Sequence, residues 1–160
     1  MLNKLLLSTL GLCSLLMAHV AAAEKHDARH QVSVSNAYIR GLPPGQSTTA
    51  AFMVLTNHSD KTVSLKKMSS SKAKKVEMHE SQMSNGSMTM RKLESFSLAP
   101  KESAKLEAGG KHLMFMGLTA SPKEGETVDL QLCFTDVCQH LELPVVSVLN
   151  EKNKQSHHHH

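Results

Sequence analysis

Four side chains in this 160-residue chain have the types and spacing to hold a soft metal ion: His79, Met90, His112 and Met114. Imidazole nitrogen serves copper, zinc, iron and nickel alike, whereas thioether sulfur singles out copper(I). Ten residues separate His79 from Met90 and twenty-one separate Met90 from His112, which is followed one residue later by Met114. None of the four is anionic, so a bound cation would keep its charge; that keeps binding exchangeable and disfavours zinc. Taken singly, each has an ordinary reading. A methionine in a strand is usually a flexible core filler, and a histidine beside a turn is usually a surface group. The combination is what points to copper. Glu77 and Glu80 flank His79 and need not be ligands.

Short strands must position these groups. Residues 31–40, 49–57, 62–68, 74–79, 87–93, 103–107, 112–118, 127–134 and 139–148 read as β-type runs. They are broken by turn chemistry at Pro43-Pro44-Gly45, Asn57-His58-Ser59-Asp60, Ser84-Asn85-Gly86, Gly109-Gly110 and residues 122–125. No long helix and no internal repeat is visible. The pattern predicts an all-β sandwich or barrel in a single domain. Side chains two apart on a strand share a face, which puts His112, Met114 and Met116 together, and Met88 with Met90. A hairpin turning at Asn85-Gly86 would bring Met90 back toward His79 at the end of the preceding strand. Periodicity alone does not choose between Met90 and Met88, or between Met114 and Met116.

The segments Val76-Glu77-Met78-His79-Glu80, Met88-Thr89-Met90-Arg91 and Gly109-Gly110-Lys111-His112-Leu113-Met114 resemble the PCu(A)C family of copper-binding proteins. So do Asn36-Ala37-Tyr38-Ile39-Arg40 with Pro43-Pro44-Gly45, and Ala50-Ala51-Phe52-Met53 with Leu55-Thr56-Asn57. The resemblance covers most of residues 31–147. It implies a cupredoxin-like Greek-key sandwich and selects His79, Met90, His112 and Met114 as the Cu(I) ligands, with Met83 and Met88 as extra thioethers nearby. It also implies a periplasmic chaperone that passes copper to an acceptor protein, a cytochrome c oxidase subunit or a thiol-containing assembly factor.

The two ends bear on compartment. One lysine, an apolar run over residues 5–18 and Ala21-Ala22-Ala23 read as a secretory signal peptide over residues 1–23, with cleavage before Glu24. An uncleaved anchor is the competing reading, and Cys13 raises lipidation, against which Leu12 supplies a bulky residue where a small one is wanted. Residues 24–30 are expected to form a flexible lead, residues 31–149 the copper-binding domain and residues 150–160 a disordered tail. His26, His30 and His157 through His160 could capture Cu(II) or zinc, the tail being either native or a purification remnant. In an oxidising compartment exposed thiols become disulfides, so thioethers hold copper(I) without a labile sulfhydryl.

Cys133 and Cys138 need a separate account. If Thr135-Asp136 is a two-residue hairpin turn, the cysteines lie opposite each other at about 4.5 to 5.5 Å between Cα atoms, within disulfide reach. The alternative is a thiol pair that exchanges electrons or binds metal with His140.

Composition excludes other classes. The net charge is +4, with one Tyr and no Trp, and without aromatic platforms the cluster of Lys66, Lys67, Lys72, Lys74 and Lys75 is a poor nucleic-acid surface. It reads as a solvated edge, or as a docking surface for an acidic protein. There is no nucleophile beside a base, no carboxylate pair and no cofactor loop, so an enzyme is not expected. The mature chain should be a monomer free of the membrane. A cupredoxin-like electron carrier and a metal-free interaction sandwich remain as alternatives.

Overall fold

The computed structural model describes residues 31–84 and 86–147. The expected signal peptide, Cys13, the N-terminal lead, the terminal histidines and Asn85 lie outside the described residues. Within them no helix is long and apolar enough to cross a membrane.

The described residues form ten strands: β1 Val32–Arg40, β2 Thr48–Asn57, β3 Val63–Ser69, β4 Ala73–Ser84, β5 Ser87–Lys92, β6 Phe96–Leu98, β7 Ser103–Leu106, β8 Lys111–Leu118, β9 Thr127–Phe134 and β10 Cys138–Val146. Their order is β5-β4-β8-β2-β1-β10-β9-β3-β6, with β7 also on β2. A parallel pairing of β1 with β10, through Ile39↔Val145 and Arg40↔Val146, joins the two halves. Neighbouring pairs elsewhere are antiparallel. The inward residues of both halves meet in one core, in which Leu55, Leu113 and Phe115 from the first half pack with Leu130, Leu132 and Leu143 from the second, all fully buried. This is the all-β sandwich expected from the alternation.

Three features depart from the sequence reading. β4 runs five residues beyond 79, so His79 sits in mid-strand. The extension, Glu80 through Ser84, carries no buried side chain and therefore leaves no apolar alternation to read. β6 is only three residues long, too short for periodicity. β1 changes parity: the pairing with β2 shifts between Ser35 and Tyr38, and Asn36 has a positive φ of 53°, a conformation that asparagine tolerates better than most residues. Val32 before the bulge and Ile39 after it both enter the main core, while Tyr38 turns to the opposite face.

At the far end of the sandwich, Cys133 and Cys138 form a disulfide across the β9–β10 hairpin, with Cα atoms 3.9 Å apart. Phe134 N–H donates to the Val137 carbonyl at 2.8 Å, which leaves Thr135-Asp136 as the two-residue turn. The cysteines are the next opposed pair, a non-hydrogen-bonded position where strands approach most closely.

Candidate metal centre

The face of β4, β8 and β2 turned away from the main core carries three of the predicted ligands, and the fourth, Met90, is on the adjoining β5. On β8, Leu113 and Phe115 point into the core and His112, Met114 and Met116 point the other way. On β4, Val76 and Met78 point inward, and Glu77, His79, Ser81 and Met83 take the outer face. The register sets His79 directly opposite His112 and Glu77 opposite Met114. The two imidazole centroids are 6.3 Å apart, a gap that one ion can bridge with metal–nitrogen bonds of about 2 Å.

A glycine turn fixes His112. Gly110 N–H donates to the Glu107 carbonyl at 3.1 Å, and Gly109 has φ of 82°, the third position of a turn that needs a left-handed residue. The Gly110 carbonyl that results accepts from His112 Nδ1 at 3.0 Å and from the Ser81 backbone N–H at 3.1 Å. One carbonyl thus ties β8 to β4 and orients the ring. A carbonyl can only accept, so Nδ1 carries the proton and the neutral ring presents the lone pair of Nε2.

His79 is held by a carboxylate instead. Its Nε2 lies 3.1 Å from Glu77 Oε2, and Glu77 also pairs with Lys75 Nζ at 3.1 Å and Lys92 Nζ at 3.8 Å. The hydrogen bond from His79, then that from Lys75, outweighs the opposing effect of burial and lowers the Glu77 carboxyl below its usual value. An ionised carboxylate accepts from Nε2–H, so the neutral ring offers Nδ1. Metal-binding histidines generally donate their second nitrogen in this way. Glu77 and Gly110 were not singled out as site residues from sequence, although Glu77 stands two residues from His79 and so shares its face.

An apolar back wall stands behind His112, which is 3% exposed. Phe52 lies 6.4 Å from its ring and Tyr38 5.2 Å from Phe52, while the Arg40 guanidinium caps Phe52 at 5.1 Å. Tyr38, Ala50, Phe52 and Val146 form a second small cluster with Met114 packed against it. The β1 bulge at Asn36 is therefore what supplies this wall. In front of it opens a cleft of about 420 Å³ lined by Arg40, Pro43, Phe52, Met90, His112 and Met114 among others.

The four predicted ligands are placed unequally. His79, His112 and Met114 are gathered on adjacent strands. Met90 lies on β5 opposite Ser81, one step along the hairpin from His79, and is 61% exposed; its flexible side chain edges the cleft. Met116 lies two positions beyond Met114, between Lys75 and Thr48, and His140 pairs with Glu142 at 3.2 Å on the other half of the fold. Among the described residues no three His, Cys, Asp or Glu side chains are grouped to hold a metal. His79, His112 and Met114, with Met90 on the neighbouring strand, are neutral nitrogen and thioether donors on one face of the sheet, and that soft chemistry fits copper(I).

Solved structures similar to this one include two that hold copper. The copper-bound PCuAC domain from PmoF2 superimposes with a TM-score of 0.63 at 15% identity, over 73% of this chain and 93% of that domain. Apo-DR1885 from Deinococcus radiodurans matches with a TM-score of 0.57 at 28% identity, over 89% of this chain and 97% of its own. CuI-DR1885 matches with 0.54 at 29% identity, over 79% and 85%. The cupredoxin-like PCuAC fold expected from the sequence is thus the fold observed. A curated protein of Leifsonia xyli subsp. xyli, named a "Putative lipoprotein", is 33% identical over 106 residues, 66% of this chain; the chain spans 63% of the length of that relative. Residues 32–145 match one family model, and the chain belongs to the family described as "Putative lipoprotein LpqE-like".

Proposed function

We propose that the protein is a copper chaperone of the cell envelope that carries Cu(I) on His79, Met90, His112 and Met114 and hands it to an acceptor. The observation that carries this reading is the cross-strand pair of His79 and His112, each with one nitrogen engaged by Gly110 or Glu77 and the other left to bind, beside Met114 on the same face. Met90, on the neighbouring edge hairpin, completes the set by swinging in. Copper-bound structural relatives and the lipoprotein description of the family support the metal and the envelope location. In the proposed route the signal peptide over residues 1–23 is cleaved and the domain works in the periplasm. The acceptor is proposed to be a copper centre of cytochrome c oxidase or a thiol-bearing assembly factor.

Cargo, not catalysis, suits this donor set. Four neutral ligands favour Cu(I) without neutralising it, and a thiolate-bearing acceptor binds the ion better. The test is competition for Cu(I) against a chromophoric chelator under reducing conditions. One Cu(I) should bind tightly, and Met90→Leu with Met114→Leu should weaken it by at least tenfold while leaving the fold intact, since the exchange nearly conserves volume. Unchanged affinity in the double variant overturns the ligand assignment.

A further inference from the structure

The exposed large hydrophobic side chains of the described residues are Met83, Met88 and Met90, at 68%, 55% and 61%. All three are methionines, and all three stand on one face of one hairpin. Met83 and Met88 are directly opposed, and Met90 faces Ser81 one step nearer the metal centre. Directly opposed Cβ atoms on antiparallel strands lie about 5 Å apart and diagonal ones about 7–8 Å, within reach of long side chains. Three rotatable bonds let each thioether turn toward a shared point.

The position makes this grouping unusual. β5 is an edge strand whose six residues are all exposed, where charged side chains are the ordinary protection. Arg91 and Lys92 provide that protection through ion pairs with Glu80, at 3.0 Å, and with Glu77 and Glu94. A general apolar docking patch would mix leucine, isoleucine or aromatic residues with methionine. Here the exposed apolar groups carry sulfur alone, on the same side of the sheet as His79, His112 and Met114.

We propose that Met83, Met88 and Met90 form a second, outer Cu(I) site at the tip of the β4–β5 hairpin, from which the ion passes to the inner site through Met90. The inference rests on the copper reading above and adds a loading step to it. Three thioethers select Cu(I) but bind it more weakly than a set that includes two imidazoles. In the transfer, Met90 keeps its sulfur–copper bond. The bonds to Met83 and Met88 break as bonds to His79, His112 and Met114 form. All the exchanging ligands are neutral, so copper stays Cu(I).

Two measurements on the full chain test this. The first follows methionine methyl groups by NMR, with Ag(I) as a redox-stable probe and single leucine variants assigning Met83 and Met88. In a His112→Ala variant, whose inner site is disabled, those two methyl signals should shift on adding Ag(I). The second follows Cu(I) uptake from a chromophoric chelator by stopped flow. Met83→Leu with Met88→Leu should slow uptake at least fivefold, with the final inner-site affinity within twofold of the parent. These side chains are exposed, so the fold should be unaffected. Methyl signals that do not respond, or an uptake rate that does not change, overturn the outer site while leaving the inner one standing. Failure of the inner reading is seen separately, as unchanged affinity in the Met90→Leu, Met114→Leu variant, and the outer site then falls with it.

Discussion

Glu77 and His79, two residues apart on β4, are joined through Oε2 and Nε2 at 3.1 Å, and this bond leaves Nδ1 as the nitrogen of His79 open to the proposed Cu(I). The carboxylate is itself held by Lys75 and Lys92, so the ring is oriented before any ion arrives. Replacing Glu77 by Gln keeps the shape and removes the charge. Loss of such a partner generally costs about 10–100-fold in metal affinity. Cu(I) competition should therefore show a weakening of at least about tenfold in Glu77→Gln, with the stoichiometry still one; full affinity in this variant would mean that His79 needs no such orientation.

Phe52 is the other support, set between Tyr38 and the ring of His112. Phe52→Ala removes a buried aromatic ring and should cost about 3–5 kcal/mol of stability. It also frees His112 to turn, so Cu(I) affinity should drop more than in Phe52→Leu, which retains an apolar wall. Denaturant unfolding and chelator competition on the two variants measure both effects.

The disulfide is a separate matter from copper. β9 and β10 pair with neither β4, β5 nor β8, so cutting Cys133–Cys138 should leave the metal site untouched. In the chain-entropy picture a loop this short contributes about 2 kcal/mol. Cys133→Ser with Cys138→Ser should lower stability by about that amount and bind one Cu(I) as before. Loss of copper from a folded double variant would place the thiols in the functional centre.

Acid sensitivity should have one identifiable source at Asp129. Burial works to raise its carboxyl, but the Ser71 N–H at 2.8 Å and the hydroxyls of Ser71 and Ser70 outweigh it and lower the pKa below 3.8. A depressed carboxyl stabilises the fold above its unfolded pKa, and that contribution disappears as pH falls through the folded value. Asp129→Asn should therefore be less stable than the parent at neutral pH by about 0.5–1 kcal/mol, the ordinary net worth of such hydrogen bonds. The gap should close below about pH 3.8, the usual value. Thermal melts of both proteins across that range would show whether it does.

Much of this was legible from residue order. The alternation in Lys111–Leu118 puts Leu113 and Phe115 inside and His112 and Met114 outside, and the pairing of β4 with β5 and the cysteine hairpin follow from strand and turn patterning. What stayed hidden depends on register between distant strands. Nothing local sets His79 opposite His112, because that pairing belongs to the register of the whole β4–β8 ladder, from Ala73↔Leu118 to Glu80↔Lys111. The back wall depends on the parity change at Asn36, an odd residue for a strand interior, whose meaning appears only once Tyr38 is seen against Phe52. Glu77 was visible, but its role required knowing that Lys75 and Lys92 leave it charged and turned toward His79.

The parallel seam between β1 and β10 also governs how the molecule is made. Gln139 Nε2 donates to the Val32 carbonyl across a separation of 107 residues, and among the described residues the strand ladder of the second half joins that of the first at the tenth strand. A nascent chain that has produced nine strands has both ladders but no closure, with β1 and β9 each exposing a raw edge of the kind that recruits other chains. Contacts of such long range slow folding into the millisecond-to-second regime. Copper would not shortcut that wait, since the proposed ligands lie on β4, β5 and β8. The wall behind His112 waits with the seam, since Tyr38 on β1 and Val146 on β10 come together there only when those two strands pair.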